Sequence, residues 1–140
     1  MSDLTKLREK FQNDRFAIEG LGAVIEDAEE GFARCTMKIE PRHCNALGIP
    51  MGGVIFTLAD FAFAVASNQK GKSVVTQASQ ITFLTSAKGD CLIAEARAVR
   101  EGSKICFYQI TVTDNLGNEV AFATLNGYVV QVSKENSSAD

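Results

Sequence analysis

The sequence predicts an α+β domain in which a curved antiparallel sheet of about six strands wraps around one long central helix. Three observations predict it. The run from Val54 to Ala66 is apolar on every side of a helix except for Thr57 and Asp60, and such a helix belongs in a core. At about 13 residues, with a carboxylate in its middle, it is too short for a bilayer, which needs about 20. Downstream lie four strand candidates, about 74–84, 91–100, 104–114 and 119–132, separated by Ala87-Lys88-Gly89-Asp90, Glu101-Gly102-Ser103 and Asn115-Leu116-Gly117-Asn118. Short glycine-bearing links at regular spacing predict an antiparallel meander. Finally, Leu92, Ala94, Ala96 and Ala98 share one strand face opposite Glu95 and Arg97. A row of small side chains lets an alanine-rich helix lie close against a sheet.

In chain order, Leu4, Leu7 and Phe11 recur at helical spacing, so residues 3–14 read as a short amphipathic helix capped by Ser2 or Asp3. Strands are expected from Leu21 to Glu26 and from Phe32 to Glu40. In the second, Ala33, Cys35, Met37 and Ile39 alternate with Arg34, Thr36, Lys38 and Glu40. Asp27 to Gly31 reads as their hairpin connection, and Pro41 ends the pair. The helix follows, then a polar exit at Asn68-Gln69-Lys70-Gly71-Lys72 and the four strands. Residues 1–132 are expected to form a single domain, with 133–140 a polar, disordered tail.

The formal net charge of −3 argues against a nucleic-acid partner, which calls for a basic face. Met1 to Lys10 is charged and lacks an apolar leader core, and no run is long enough to span a membrane, so a soluble cytoplasmic protein is expected. The four cysteines, at 35, 44, 91 and 106, form no Cys-x-x-Cys pair and read as free thiols. With His43 the only histidine, no metal site and no cofactor are expected. His43 and Cys44 are adjacent, but catalytic Cys–His pairs are brought together from distant positions.

Asn45, Gly48, Gly52-Gly53, Leu58-Ala59-Asp60 and Phe63-Ala64-Val65-Ala66-Ser67-Asn68 occur in an order that resembles the signature of hotdog-fold thioesterases. The likeness is greatest to the phenylacetate-degradation (PaaI-like) acyl-CoA thioesterases. It covers about residues 17–131 and extends to Ile81-Thr82-Phe83-Leu84 before Gly89-Asp90 and to Val112-Thr113-Asp114 before Gly117. The resemblance implies a hotdog fold and a metal-free acyl-CoA thioesterase. It also implies that Asp60 is general base or nucleophile, that Gly52 supplies a backbone N–H to the thioester carbonyl, and that Asn45 and Thr76 position the reactants. It departs at Met51, where the family most often has histidine before the two glycines.

The residues can carry that chemistry. A lone carboxylate in apolar surroundings must be paired, neutralised or used, and burial raises its pKa towards general-base work. The alternative is a buried Asp60 that only specifies packing. No Ser, Thr, Asp or Asn occupies positions 49–51, so the first N–H groups of the helix are left for a ligand, with the helix dipole favouring negative charge there. Gly52 and Gly53 allow close approach, or else serve only a tight turn. Asn45 is equally suited to a turn, and Thr76 to strand propensity. Phe56, Phe61, Phe63 and Phe83 read as core, with one or two of them lining the acyl pocket. Met51, Gly53 and Phe83 are candidates for substrate binding, and Arg100 and Lys104, with Arg97, Lys70 and Lys72, are candidate cations for the coenzyme A phosphates or else solvated surface charges. Gly52 and Asp60 stand eight residues apart, about 12 Å along one helix, too far for a single thioester. Function therefore predicts a homodimer, or a dimer of dimers, in which Gly52 of one subunit faces Asp60 of the other. The alternatives are a non-catalytic acyl-thioester-binding module, or a dehydratase, for which a helix-side histidine is lacking.

Overall fold

The computed structural model describes residues 3–132. The expected tail and the Ser2 cap therefore lie outside the described residues. Helix α1 (Asp3–Phe11) lays Leu4, Leu7 and Phe11 on the core. Phe11 meets the ring of Phe61 edge-on at 5.7 Å, and Arg8 donates from Nε and Nη2 to the Ile25 carbonyl at 2.9 and 2.6 Å. The helix stops short of residue 14 because the N–H groups of Gln12, Asn13 and Asp14 turn back three residues rather than four. A wide π-helical turn, Phe16–Leu21, follows. It occupies the start of the stretch where a strand was expected from Leu21, since Ala17 and Leu21 are buried from a turn and Gly22, at φ 72°, closes it.

Strands β1 (Val24–Glu29) and β2 (Phe32–Lys38) form the expected hairpin, and the long helix α2 spans Gly52–Ser67. After it come β3 (Lys72–Phe83), β4 (Cys91–Glu101), β5 (Ile105–Asp114) and β6 (Glu119–Val132), each within a few residues of its expected limits. All six strands make one antiparallel sheet in the order β1-β2-β4-β5-β6-β3.

The four-strand meander is thus corrected. Only β4, β5 and β6 run as one; β3 lies at the far edge beside β6, and β4 pairs with β2. Side-chain size and polarity account for this. Leu92, Ala94 and Ala96 of β4 and Ala33, Cys35 and Met37 of β2 are buried against the helix, whereas β3 is polar on both faces, through Thr76, Gln77, Ser79, Gln80 and Thr82. Ala98, the last of the expected alanine row, is exposed, and a bulge follows it before Arg100.

The second half of α2 is enclosed, with Phe61, Ala62, Phe63, Val65 and Ala66 almost fully buried. Its burial is not all-round, however. Gly53, Thr57, Asp60 and Ala64 recur at helical spacing and form a stripe that the sheet leaves partly open. Gly127 of β6 shows how closely helix and sheet approach: a Cβ there would lie 2.7 Å from Phe63 Cζ and 2.6 Å from Val74 Cγ1.

Candidate active site

Asp60 stands midway along the open stripe of α2. Thr76, the fifth residue of β3, donates its hydroxyl to Asp60 Oδ1 at 2.7 Å. The other carboxylate oxygen accepts no hydrogen bond among the described residues. Burial is the main influence on this acid and raises its pKa; the Thr76 bond lowers it in part, and the nearby Asp14 carboxylate raises it further. The result is a carboxylate held above its ordinary range with one oxygen free.

The second half of the site is the start of α2. Met51 is its N-cap and makes no side-chain capping bond. Val54 and Ile55 return their N–H groups to the Met51 carbonyl at 3.0 and 3.3 Å. The N–H groups of Gly52 and Gly53 have no protein acceptor among the described residues. Gly52 lies on a cleft of about 350 Å³, lined also by Asn45, Ile49, Pro50, Ile55, Phe83, Leu84, Thr85 and Ser86. Phe83 crowds Gly52 so closely that a Cβ at that position would sit 3.0 Å from its Cζ. Glycine at 52 therefore fits a close approach as well as a turn.

Asn45 ties the loop that leads into the helix. Its N–H donates to the Ile49 carbonyl at 2.8 Å, and its Oδ1 accepts from Leu47 and Ile49 N–H at 2.9 and 3.4 Å. The turn role is therefore present. It occupies the amide oxygen and leaves the amide NH₂ available at the cleft. Met51 is half exposed beside this loop and Gly53 is exposed on the open stripe.

Two groupings thus emerge, Asp60 with Thr76 and Gly52 with Asn45 and Phe83. One continuous helix separates them by eight residues, about 12 Å. Arg100 and Lys104 lie apart from both, at the hairpin of β4 and β5, near the C-terminal end of α2. Of the candidate cations, Lys72 is spent on Glu101 at 2.5 Å, and Arg97 stacks on Phe32 at 4.6 Å beside Glu95. Arg100, Lys104 and Lys70 make no ion pair among the described residues.

Sequence reasoning did not find Thr85 and Ser86, whose place in the cleft depends on where the β3–β4 connection crosses the helix. Nor did it find Asp14, seen from Asp60 only through the folding of the N-terminal segment. His43 and Cys44 do not form a pair. The ring of His43 engages the Glu40 N–H and the Gly20 carbonyl, while the Cys44 thiol reaches the Glu40 carbonyl at 3.6 Å. All four cysteines are free thiols. Among the described residues no cluster of metal-ligating side chains occurs, and no helix is long and apolar enough to cross a membrane.

A thioesterase superfamily model matches residues 47–121. The acyl-coenzyme A thioesterase PaaI of Escherichia coli K12 is 36% identical over 112 residues, with 79% of each chain covered. A solved structure of E. coli PaaI superposes with a TM-score of 0.82 at 26% identity, over 94% of this chain and 99% of that one. A Streptococcus mutans protein solved with acetyl-CoA is 34% identical, with a TM-score of 0.76 over 80% of this chain and 91% of that one. A hypothetical thioesterase of Streptococcus pneumoniae, solved with coenzyme A, is 28% identical, with a TM-score of 0.81 over 89% of this chain and 97% of that one. It has also been solved as aspartate-to-alanine and threonine-to-alanine variants, at positions sixteen apart.

Proposed function

We propose, from the premise that this chain belongs to the thioesterase superfamily and is a PaaI-like acyl-CoA thioesterase of the hotdog fold, that Asp60 drives hydrolysis of a medium-chain or aryl-acyl thioester. The single observation behind this assignment is the half-buried Asp60 carboxylate, bonded at one oxygen by Thr76 and open at the other. As a base it takes a proton from water attacking the thioester carbonyl; as a nucleophile it attacks the carbonyl itself. Thr76 fixes the rotamer of the acid in either case. Support also comes from the S. pneumoniae variants, because the same sixteen-residue interval separates Asp60 from Thr76.

The Gly52 N–H is the donor for the oxyanion, at a helix end whose dipole favours negative charge and which no side chain caps. Gly53 follows it in the exposed first turn, Asn45 offers its NH₂ to the carbonyl or the water, and Phe83 and Met51 contact the acyl group. The cleft is bounded mainly by apolar side chains, with Thr85 and Ser86 on its rim, which suits an apolar acyl chain better than a charged one. Arg100 and Lys104 are proposed to meet the phosphates of coenzyme A.

The site is shared between two subunits, Gly52 of one facing Asp60 of the other. Two features support this. The separation along α2 is too long for one thioester, and β3 is a twelve-residue edge strand whose outer side pairs with no other strand among the described residues, only Val74 being taken up there by the Asn68 side chain. A long open edge of this kind is a template for strand pairing, and a second copy would cover it. The assembly is a homodimer, or a tetramer formed from two. A monomeric mass in sedimentation at micromolar concentration, with full activity, would refute it.

Asp60→Asn tests the chemistry. Release of free coenzyme A should fall by about 10²–10⁴-fold, the contribution typical of a positioned acid–base group, with the oligomer unchanged. Turnover at the parent rate would remove Asp60 from the mechanism. A panel of short, medium, long and aromatic acyl-CoAs fixes the acyl group.

A further inference from the structure

We infer that His43 is a positioning residue for the Gly52 amide, a buried staple whose removal loosens the start of α2 and lowers turnover. The inference rests on the proposed role of Gly52. His43 is buried, with only 3% of its surface exposed, in the 3₁₀ turn Pro41–His43 that precedes the site loop. Its two ring nitrogens are both engaged, and in opposite senses. Nδ1 lies 3.0 Å from the backbone nitrogen of Glu40, whose N–H leaves it no choice but to accept. Nε2 lies 3.0 Å from the Gly20 carbonyl, which can only accept, so Nε2 carries the hydrogen. These partners define the neutral ring.

The backbone of the same residue completes the link. The His43 carbonyl accepts the N–H of Met51 at 2.9 Å, and Met51 is the N-cap whose next N–H is that of Gly52. One imidazole therefore ties the π-helical turn, the 3₁₀ turn and the first peptide of α2 into a single unit. A side chain without an acceptor at this place leaves the Glu40 N–H unpaired in a buried turn, and the carbonyl that orients Met51 shifts as the turn relaxes. The Glu40 carboxylate accepts the His43 N–H in return and pairs with Arg42 at 3.0 Å. Arg42 also reaches across to the Glu19 carbonyl at 3.1 Å, bracing the same turn. Cys44 beside the ring is turned to the Glu40 carbonyl.

The test compares His43→Gln and His43→Ala with the parent enzyme in coenzyme A release. Glutamine at the third position of a turn can accept the N-cap N–H and still present an NH₂, so it keeps both bonds of the staple. His43→Gln should retain kcat within about threefold. His43→Ala should lower kcat by about 10²-fold with KM little changed, the loss expected when a reacting group is misplaced by about 1 Å. Because His43 is the only histidine in the chain, the ¹⁵N spectrum of the imidazole in the parent protein gives an independent readout. It should show Nε2 protonated and Nδ1 bare. A kcat in His43→Gln as low as that of His43→Ala, an Nδ1–H tautomer, or a parent-like kcat in a folded His43→Ala would each overturn the inference. Lack of thioesterase activity in the parent protein would instead defeat the proposed function, which keeps the two failures distinct.

Discussion

Replacing Thr76 with valine preserves the shape of the side chain and deletes the hydroxyl that donates to Asp60 Oδ1 at 2.7 Å. A hydrogen bond to an ionised group contributes about 1.5–3 kcal/mol, and one pKa unit corresponds to about 1.36 kcal/mol. Asp60 keeps its other oxygen on the open stripe of α2, where solvent screens it, so the lower end of that range applies. The sign follows from the site: burial and Asp14 push the acid up, and the Thr76 bond is what holds it down. Without that bond the neutral form gains, and the acid limb of kcat/KM should move to higher pH by about one unit. The assay is release of free coenzyme A from one acyl-CoA, followed with a thiol reagent from about pH 4 to 9 to bracket the carboxylate and histidine ranges. The same substitution made in an Asp60→Asn background should leave the pH profile of the residual activity unaltered, because the coupled partner is gone. An acid limb that stays in place, or moves down, would show that Thr76 does not govern the ionisation of Asp60 and would refute the pairing as catalytic.

Three further outcomes are expected. Asp60→Asn should raise Tm at neutral pH: the folded-state pKa of this acid lies above its unfolded value, so the stability it contributes is complete below the unfolded pKa and is lost as pH rises through the folded one. The Tm gain should vanish near about pH 4, and a gain that persisted there would point to another cause. Asp114 behaves in the opposite sense. Burial alone would raise it, but bonds from the Asn118 side chain and from the N–H groups of Lys88, Asn118 and Gly89 hold it well below the usual carboxylate range. Its contribution is therefore present above the unfolded pKa, about 3.9, and is lost as pH falls through the folded one, so Asp114→Asn should lower the urea midpoint at neutral pH and lessen its decline in acid. Gly127→Ala places a Cβ 2.6 Å from Val74 Cγ1 and 2.7 Å from Phe63 Cζ, and overpacking of this kind costs about 1–3 kcal/mol. An unchanged denaturation midpoint would mean that α2 and β6 are less tightly packed than the structure indicates.

Local signals in the chain account for most of the architecture. The apolar period of Val54–Ala66, the alternation from Ala33 to Ile39 and the glycine-bearing links are short-range features, and each marked a real element. Helix geometry alone also separated Gly52 from Asp60, because a rise per residue needs no tertiary information. The absence of a capping side chain before Gly52 was likewise visible, and the structure shows Met51 making no such bond. The burial of Asp60 could be anticipated from its neighbours, but not the open stripe that leaves one of its oxygens available.

Strand order was a different matter. Chain proximity suggested β3 beside β4, whereas the sheet carries β3 past three strands to pair with β6. That outcome is a competition among strands for the concave face, won by those with small apolar side chains, and no single segment encodes it. The same global fit decided that Ala98 faces solvent, that Asp14 stands close enough to bias Asp60, and that Thr85 and Ser86 edge the cleft. It also gave His43 its two ring partners, from segments twenty-three and three residues away. The sequence by itself determined which segments are helix and strand and which groups have the chemistry, since both follow from interactions along the chain. Only the tertiary structure decided which of those groups meet, because their partners are brought together by burial of a shared core rather than by spacing.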